Sequence, residues 1–378
     1  MKKTIFKTII FITISIIISC ANEKSEVQLD EAEAINDNGT NTITGNLSKE
    51  NLQILDMRYL IADNGEYLYI ISEENSKKAF IDYTFYTNQS IDGFGFDTEI
   101  NDGYIGAKAP HDNGTATMTG NLSDAGFSGK IDGKEINFVN ANSPISGAKV
   151  VRYTYTNVYP ENASEEDEKT FEYYSSIFLF NNEKNLESID KINLDINSEI
   201  TSDKLDINKL SDIKNILSND MMPFYNEWAD ENEYMYYYLS ISEYGIDYLS
   251  EKIASINNYV FLYMGGAHGT YGNVRKVYSL SDGKRLKIED ILIDVNDSNL
   301  INKVKEKLLS IESRSEEDYF NLDEISLQEN NFYINSKGLV FTWGIYEIAP
   351  YAMGYSEVLF SIDEITPYLK DEYKNIFE

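Results

Sequence analysis

The residues best placed to do chemistry lie in one short stretch, Gly265-Gly266-Ala267-His268-Gly269. His268 is one of only two histidines in the chain; the other is His111. An imidazole can bind a metal, move a proton or stack on an aromatic ring. A metal site would need partners at ligand spacing, and no second histidine or cysteine accompanies His268. Cys20 is the only cysteine. No G-x-S-x-G elbow offers a nucleophile, and no G-K-[ST] follows the glycines to cradle phosphate. The residues therefore predict no catalytic set, no metal and no cofactor. In the plainest reading, the His268 ring serves the backbone of its own turn. The alternative is a peptidoglycan-acting hydrolase that uses carboxylates near the His268 turn. With 63 acidic residues in the chain, nothing singles out a pair.

The flanking segments position this turn. Tyr259-Val-Phe-Leu-Tyr-Met264 is apolar and reads as a buried strand entering the glycines, and Val274 to Leu280 as the strand leaving them. Further on, Leu300, Val304, Leu308 and Ile311 mark an amphipathic helix with Asp297 or Ser298 as its cap. Phe332 to Asn335 and Leu339 to Trp343 form a hairpin about Gly338, and Ser361 with Glu364 fits a capping box. Phe171 to Phe180 reads as a strand and Asn208 to Ser218 as a helix. Tyr234 to Ser242, Tyr248 to Ala254 and Asn258 to Met264 read as a meander. Asp220 to Glu233, with Tyr225 and Trp228 among acids, suits a solvated helix face or a contact surface.

Before this region the grammar is all β. Asn64-Gly65 and Asp132-Gly133 each sit between alternating apolar runs, a strong hairpin signal. Thr42 to Ser48 and Thr117 to Ser123 resemble one another, a recurrence that the biased composition accounts for. The expected fold class is α+β: a C-terminal antiparallel sheet with helices, preceded by a mostly-β sandwich or small barrel. The expected organisation is a signal peptide over 1–19, an acidic tether over 20–41 and a mostly-β domain over 42–160. A linker over 161–170 and an α+β domain over 171–378 complete it.

The first residues give an address. Lys2, Lys3 and Lys7 precede an apolar run ending Ile17-Ile18-Ser19-Cys20, which has the form of a bacterial lipobox. Cys20 is then the lipidation site, and the expected location is the cell envelope, periplasmic or surface-exposed, with the membrane as one partner. A net charge of −31 argues against nucleic acid, whose phosphates demand a basic face. It suits a basic protein partner.

Three blocks resemble one family. They are Gly265 to Gly269 with Val277 to Leu292, then Phe332 to Phe341, then Tyr346-Glu-Ile-Ala-Pro-Tyr-Ala-Met-Gly354. Together they look like the RsiV-like ectodomain family, across roughly 165–370. The resemblance implies an extracytoplasmic α+β module. In the anti-sigma factor that names the family, this module binds lysozyme; elsewhere it accompanies a peptidoglycan deacetylase domain or stands alone in lipoproteins. It further implies that the glycines serve the turn, Pro350 and Gly354 a bend, and Tyr346 and Tyr351 packing. The sequence has no transmembrane helix following a cytoplasmic anti-sigma segment and no histidine-rich deacetylase motif. The expectation is an envelope binding protein for a lysozyme-type protein or a wall glycan. Its candidate binding residues are Gly265, Gly266, His268, Tyr271, Tyr346, Glu347 and Tyr351.

Overall fold

The computed structural model describes residues 47–73, 76–86, 91–111, 114–159, 169–230, 236–311 and 314–377. The signal, Cys20, the tether, most of the first repeat copy and nearly all of the expected linker fall outside the described residues.

Eight strands follow one another as antiparallel neighbours: β1 (Leu47–Ile61), β2 (Tyr67–Glu73), β3 (Lys78–Tyr86), β4 (Ile91–Asn101), β5 (Tyr104–His111), β6 (Gly114–Ser123), β7 (Gly126–Ile131) and β8 (Lys134–Asn140). The end of β1 also pairs with β8, through Leu60↔Asn140 and Ile61↔Val139, so the run closes on itself. Of the two expected alternatives, sandwich and small barrel, the structure takes the barrel. Closure removes the sheet edges that a sandwich would leave open. Inward positions alternate large and small, with Phe96, Phe127 and Phe138 filling space beside Ala107, Ala109 and Ala116. At the β7–β8 turn Asp132 and Gly133 both adopt positive φ, 49° and 76°, as a two-residue hairpin of matching twist requires.

β1 has a second use. Its first eleven residues pair with β9 (Ala148–Tyr159), from Leu47↔Val158 to Met57↔Ala148. β9 in turn pairs along its whole length with β10 (Lys169–Phe180). Backbone hydrogen bonding is therefore continuous on both sides of residues 160–168. From β10 the chain crosses through α1 (Glu187–Ile196) and α2 (Leu210–Asp230) to β11 (Tyr237–Leu249), which lies parallel to β10. A parallel neighbour demands such a crossover. α1 buries Ile189, Ile192 and Ile196 against Phe178 and Phe180, whereas α2 buries Ile213, Leu217, Met221 and Trp228 against Phe171, Tyr173 and Ile177. Alternate residues of a strand face opposite sides, so the two helices cover opposite faces of β10. Trp228 is thus a core residue, its ring 5.5 Å from that of Phe171, and not part of a solvated face. α2 also runs a further three turns past Ser218, with Pro223 inside it.

β12 (Ile253–Tyr263), β13 (Thr270–Ser279) and the short β14 (Arg285–Leu286) complete the large sheet. The expected strand from Tyr248 to Ala254 is instead the end of β11 and the start of β12, joined by a turn over residues 250–252 where Ser250 Oγ accepts from the Lys252 and Ile253 amides. After α3 (Ile288–Ile291) and α4 (Ser298–Leu309), a second sheet forms from β15 (Phe332–Asn335), β16 (Gly338–Trp343) and β17 (Ser356–Ser361), followed by α5 (Ile362–Ile365). Asp297 caps α4 by accepting from the Asn299 and Leu300 amides. The buried side of α4 (Leu300, Val304, Leu308) meets this sheet and Tyr248, Ile253 and Val277 of the large one. The chain is α+β, as its alternation and periodicity require.

One local device replaces a missing strand. β10 pairs with β11 only from Thr170 to Tyr174, which leaves the later part of that edge bare. α1 covers it with two amide side chains. Asn197 accepts from the Phe178 amide at 3.1 Å and donates to the Phe178 carbonyl at 2.8 Å; Asn193 does the same at Phe180, at 2.8 and 3.0 Å. Buried backbone groups need such partners.

Candidate functional site

The turn between β12 and β13 is shaped by its glycines. Gly265 and Gly266 both hold φ near +94°, a conformation that side chains resist. At Gly269 a Cβ would run into the Phe261 ring. The exposed His268 ring bonds its neighbour's backbone, with Nδ1 3.1 Å from the Gly269 carbonyl oxygen. The plain reading is right in that respect. His268 also does something its local sequence does not show: its ring stacks on Tyr351, with centroids 4.0 Å and planes 25° apart.

Tyr351 belongs to the loop between β16 and β17, so the fold brings two of the sequence blocks together. Tyr271, 2% exposed, anchors the junction with Ile345 and is flanked by Tyr259, Phe261, Tyr351 and Tyr355. The Tyr271 and Tyr351 rings meet edge to face at 5.2 Å. Aromatic pairs favour this geometry. Tyr346 lies against the outer side of Tyr351, with centroids 5.7 Å apart.

The loop is tied down along its length. Tyr351 Oη donates to the Gly269 carbonyl at 3.0 Å, and the Asn273 amide donates to Tyr355 Oη at 3.0 Å. Two tyrosine hydroxyls thereby cover the edge of β13 that β14 reaches only at Val277 and Tyr278. Glu347 Oε2 accepts from the Gly344 amide at 2.9 Å and from Asn331 at 3.1 Å. Arg314 donates to the carbonyls of Met353 and Tyr355 and to Ser356 Oγ. Gly354 turns the chain at φ 62°.

Tyr346 departs from the packing role that the family resemblance implies. It is 55% exposed, and its φ is 63°. The other non-glycine residues at positive φ among those described are Asp102, Asp132 and Asn185, types whose short polar side chains tolerate it. A bulky aromatic there is strained, and strain of this kind gathers at functional surfaces. On the facing turn Met264 is 47% exposed, and Phe320, 58% exposed, donates its amide to Ile348 of the same loop. Nothing in the sequence marks Phe320; its exposure depends on where the chain between α4 and β15 is laid down.

Chemically this is an apolar, aromatic surface with one fixed carboxylate. Among the described residues no group of three or more His, Cys, Asp and Glu side chains could hold a metal ion, and no helix is long and apolar enough to cross a membrane. A cleft of ≈ 740 Å³ lies elsewhere, lined by Arg58, Asn140, Ile145, Glu183 and Leu249 among others. It includes none of the candidate residues.

Comparison with known proteins gives a partial placement. No curated protein matches the chain. A solved structure of a DUF3298 family member from Bacteroides fragilis aligns at 20% identity and TM-score 0.45, over 54% of this chain and 87% of that one. A second, a DUF3298 family protein from Pseudomonas aeruginosa, aligns at 14% identity and TM-score 0.39, over 59% and 95%. The family model described as "Protein of unknown function (DUF3298)" matches residues 289–363, from α3 into α5. That stretch contains Tyr346, Glu347 and Tyr351 but not the Gly265–Gly269 turn they meet. Within this chain the DUF3298 domain occupies residues 289–363.

Proposed function

We propose that this chain is a lipid-anchored envelope protein that binds rather than catalyses. Its docking face is the aromatic surface of the β12–β13 turn and the 344–355 loop, and its partner is a basic wall-active protein of the lysozyme type. The observation that carries the reading is Tyr346: more than half exposed, in a strained backbone, on a loop held by hydrogen bonds at every turn. A rigid exposed aromatic is what binding hot spots are made of. The resemblance of the sequence blocks to the RsiV-like ectodomain supports the choice of lysozyme. The charge of −31 supports a basic partner. The basic start and the Ser19-Cys20 ending of the apolar run support the anchor.

Calorimetry of residues 21–378 against lysozyme tests the reading, with an unrelated basic protein of similar size as control. Lysozyme should bind at physiological salt at least about tenfold more tightly than the control, equivalent to about 1.4 kcal/mol. Equal binding of both, lost together as salt rises, would reduce the attraction to screened charge. For the anchor, Cys20→Ala should move the full-length protein from the detergent phase to the aqueous phase.

A further inference from the structure

Beneath the aromatic face lies an array of three charges drawn from three strands, two of them buried and the third, Glu357, partly exposed. Arg275 of β13 stacks its guanidinium on Tyr333, 3.5 Å from the ring centroid, and reaches Glu357 of β17 with Nη2 at 3.2 Å. Its Nε and Nη1 are buried and find no hydrogen-bond partner among the described residues. Glu357 also accepts from Tyr333 Oη at 3.1 Å and Thr342 Oγ1 at 3.2 Å. On the other side stands Asp247, 5% exposed, set where the β11–β12 register slips. Asn257 donates to its Oδ1 at 2.8 Å, while its Oδ2 has no partner among the described residues.

Tyrosines surround the array, and a further carboxylate, Asp82 of β3, acts on one of them, Tyr67, while Tyr69 Oη donates to it at 2.9 Å. Tyr59 of β1, Tyr67 of β2, Tyr86 of β3, Tyr248 of β11 and Tyr333 of β15 lie around the array. Burial pushes each of these phenols up, so they stay neutral near pH 7. Burial opposes the Arg275 charge, but Glu357 and Asp247 restore it. Two carboxylates thus share one guanidinium, and only Glu357 touches it.

This array is a rung of the seam that holds the docking face. Asn273, whose amide binds Tyr355 Oη, precedes Arg275 by two residues, and Tyr355 precedes Glu357 by two. Two residues along a strand is one step on the same side. The Gly269–Tyr351 bond continues the seam outward to His268.

We propose that Asp247 is a proton-operated latch on the β13–β17 seam. Protonated, it leaves Arg275 wholly to Glu357 and holds the 344–355 loop closed on β13; ionised, it competes for the guanidinium across the seam and loosens it. Burial, only partly offset by Arg275 and Asn257, pushes its carboxyl up to about 6, so the latch works in a mildly acidic range. The link to partner binding rests on the proposed function; the latch itself can be read without a partner.

The test is hydrogen exchange of the Asn273 amide in residues 21–378, expressed as protection relative to the Leu122 amide, which donates to the Gly103 carbonyl in the barrel. Protection should rise by about fivefold or more from pH 7.5 to pH 5, the low end of ordinary coupling between sites. Asp247→Asn should abolish that rise, while Asp82→Asn should leave it intact. A pH-independent ratio in the wild type would overturn the latch, as would an unchanged rise in Asp247→Asn. Should Asp247→Asn not fold, the midpoint in Asp82→Asn decides, since Asp82 is pushed to about 6 as well: near pH 6 supports the latch, and below about pH 5 contradicts it. Lysozyme failing to bind at either pH would count against the proposed function alone.

Discussion

The His268 ring lies face to face with Tyr351 at 4.0 Å, and both groups bond the same Gly269 carbonyl, at 3.1 and 3.0 Å. One backbone oxygen thereby fixes two rings from separate parts of the chain. Tyr351→Phe keeps the stack and loses one bond, so it should cost about 1 kcal/mol in urea unfolding. Tyr351→Ala removes ring and bond together and should cost about 3 kcal/mol. Equal costs for the two variants would show that the ring contributes nothing.

The amides of α1 make an independent prediction. Asn197→Leu preserves volume but strips the buried Phe178 N–H and C=O of their side-chain partners. The loss should be about 3 kcal/mol, because unpaired buried backbone groups carry their full desolvation penalty. A urea midpoint unchanged from wild type would mean that the edge is satisfied in another way.

How much of this could be read beforehand depended on whether the cause was local. The Asp132-Gly133 hairpin, the Asp297 cap and the Ser361–Glu364 box are set by neighbours in sequence, and each formed as expected. Closure of the barrel was not legible, since it rests on Leu60 and Ile61 meeting Asn140 and Val139. The β10–β11 crossover was hidden for the same reason. At the candidate site the glycines announced the turn, but the His268–Tyr351 stack and the exposure of Phe320 follow only from tertiary placement. The resemblance implies packing for Tyr346, also a candidate binding residue; its positive φ and its exposure are both invisible in sequence.

Stability should rise on mild acidification. Burial pushes both Asp82 and Asp247 up to about 6, above the usual 3.8. Between those values the folded protein binds more protons than the unfolded chain, so lowering the pH favours folding. From pH 7.5 to pH 5 the unfolding free energy should increase by about 1 kcal/mol per group. Glu66 works the other way: burial opposes its charge, but bonds from Lys134, Tyr83 and Asn64 hold it below its usual value. Its contribution disappears only as the pH falls below the ordinary carboxylate range. Urea titrations at pH 7.5 and pH 5 should show the gain of the two aspartates, because the contribution of Glu66 is nearly untouched over that range. A fall in stability from 7.5 to 5 would contradict these assignments.

The most direct measurement is lysozyme binding by a pair of variants at Tyr346. Tyr346→Gly should raise stability slightly, by about 1 kcal/mol, because glycine accepts φ 63° without strain. Tyr346→Ala, at an exposed position, should change stability by no more than about 0.5 kcal/mol. If this ring is an anchor of the docking face, both variants should bind lysozyme at least about tenfold more weakly at physiological salt, while remaining folded. Wild-type affinity in both folded variants would contradict the account and move any interface away from the 344–355 loop.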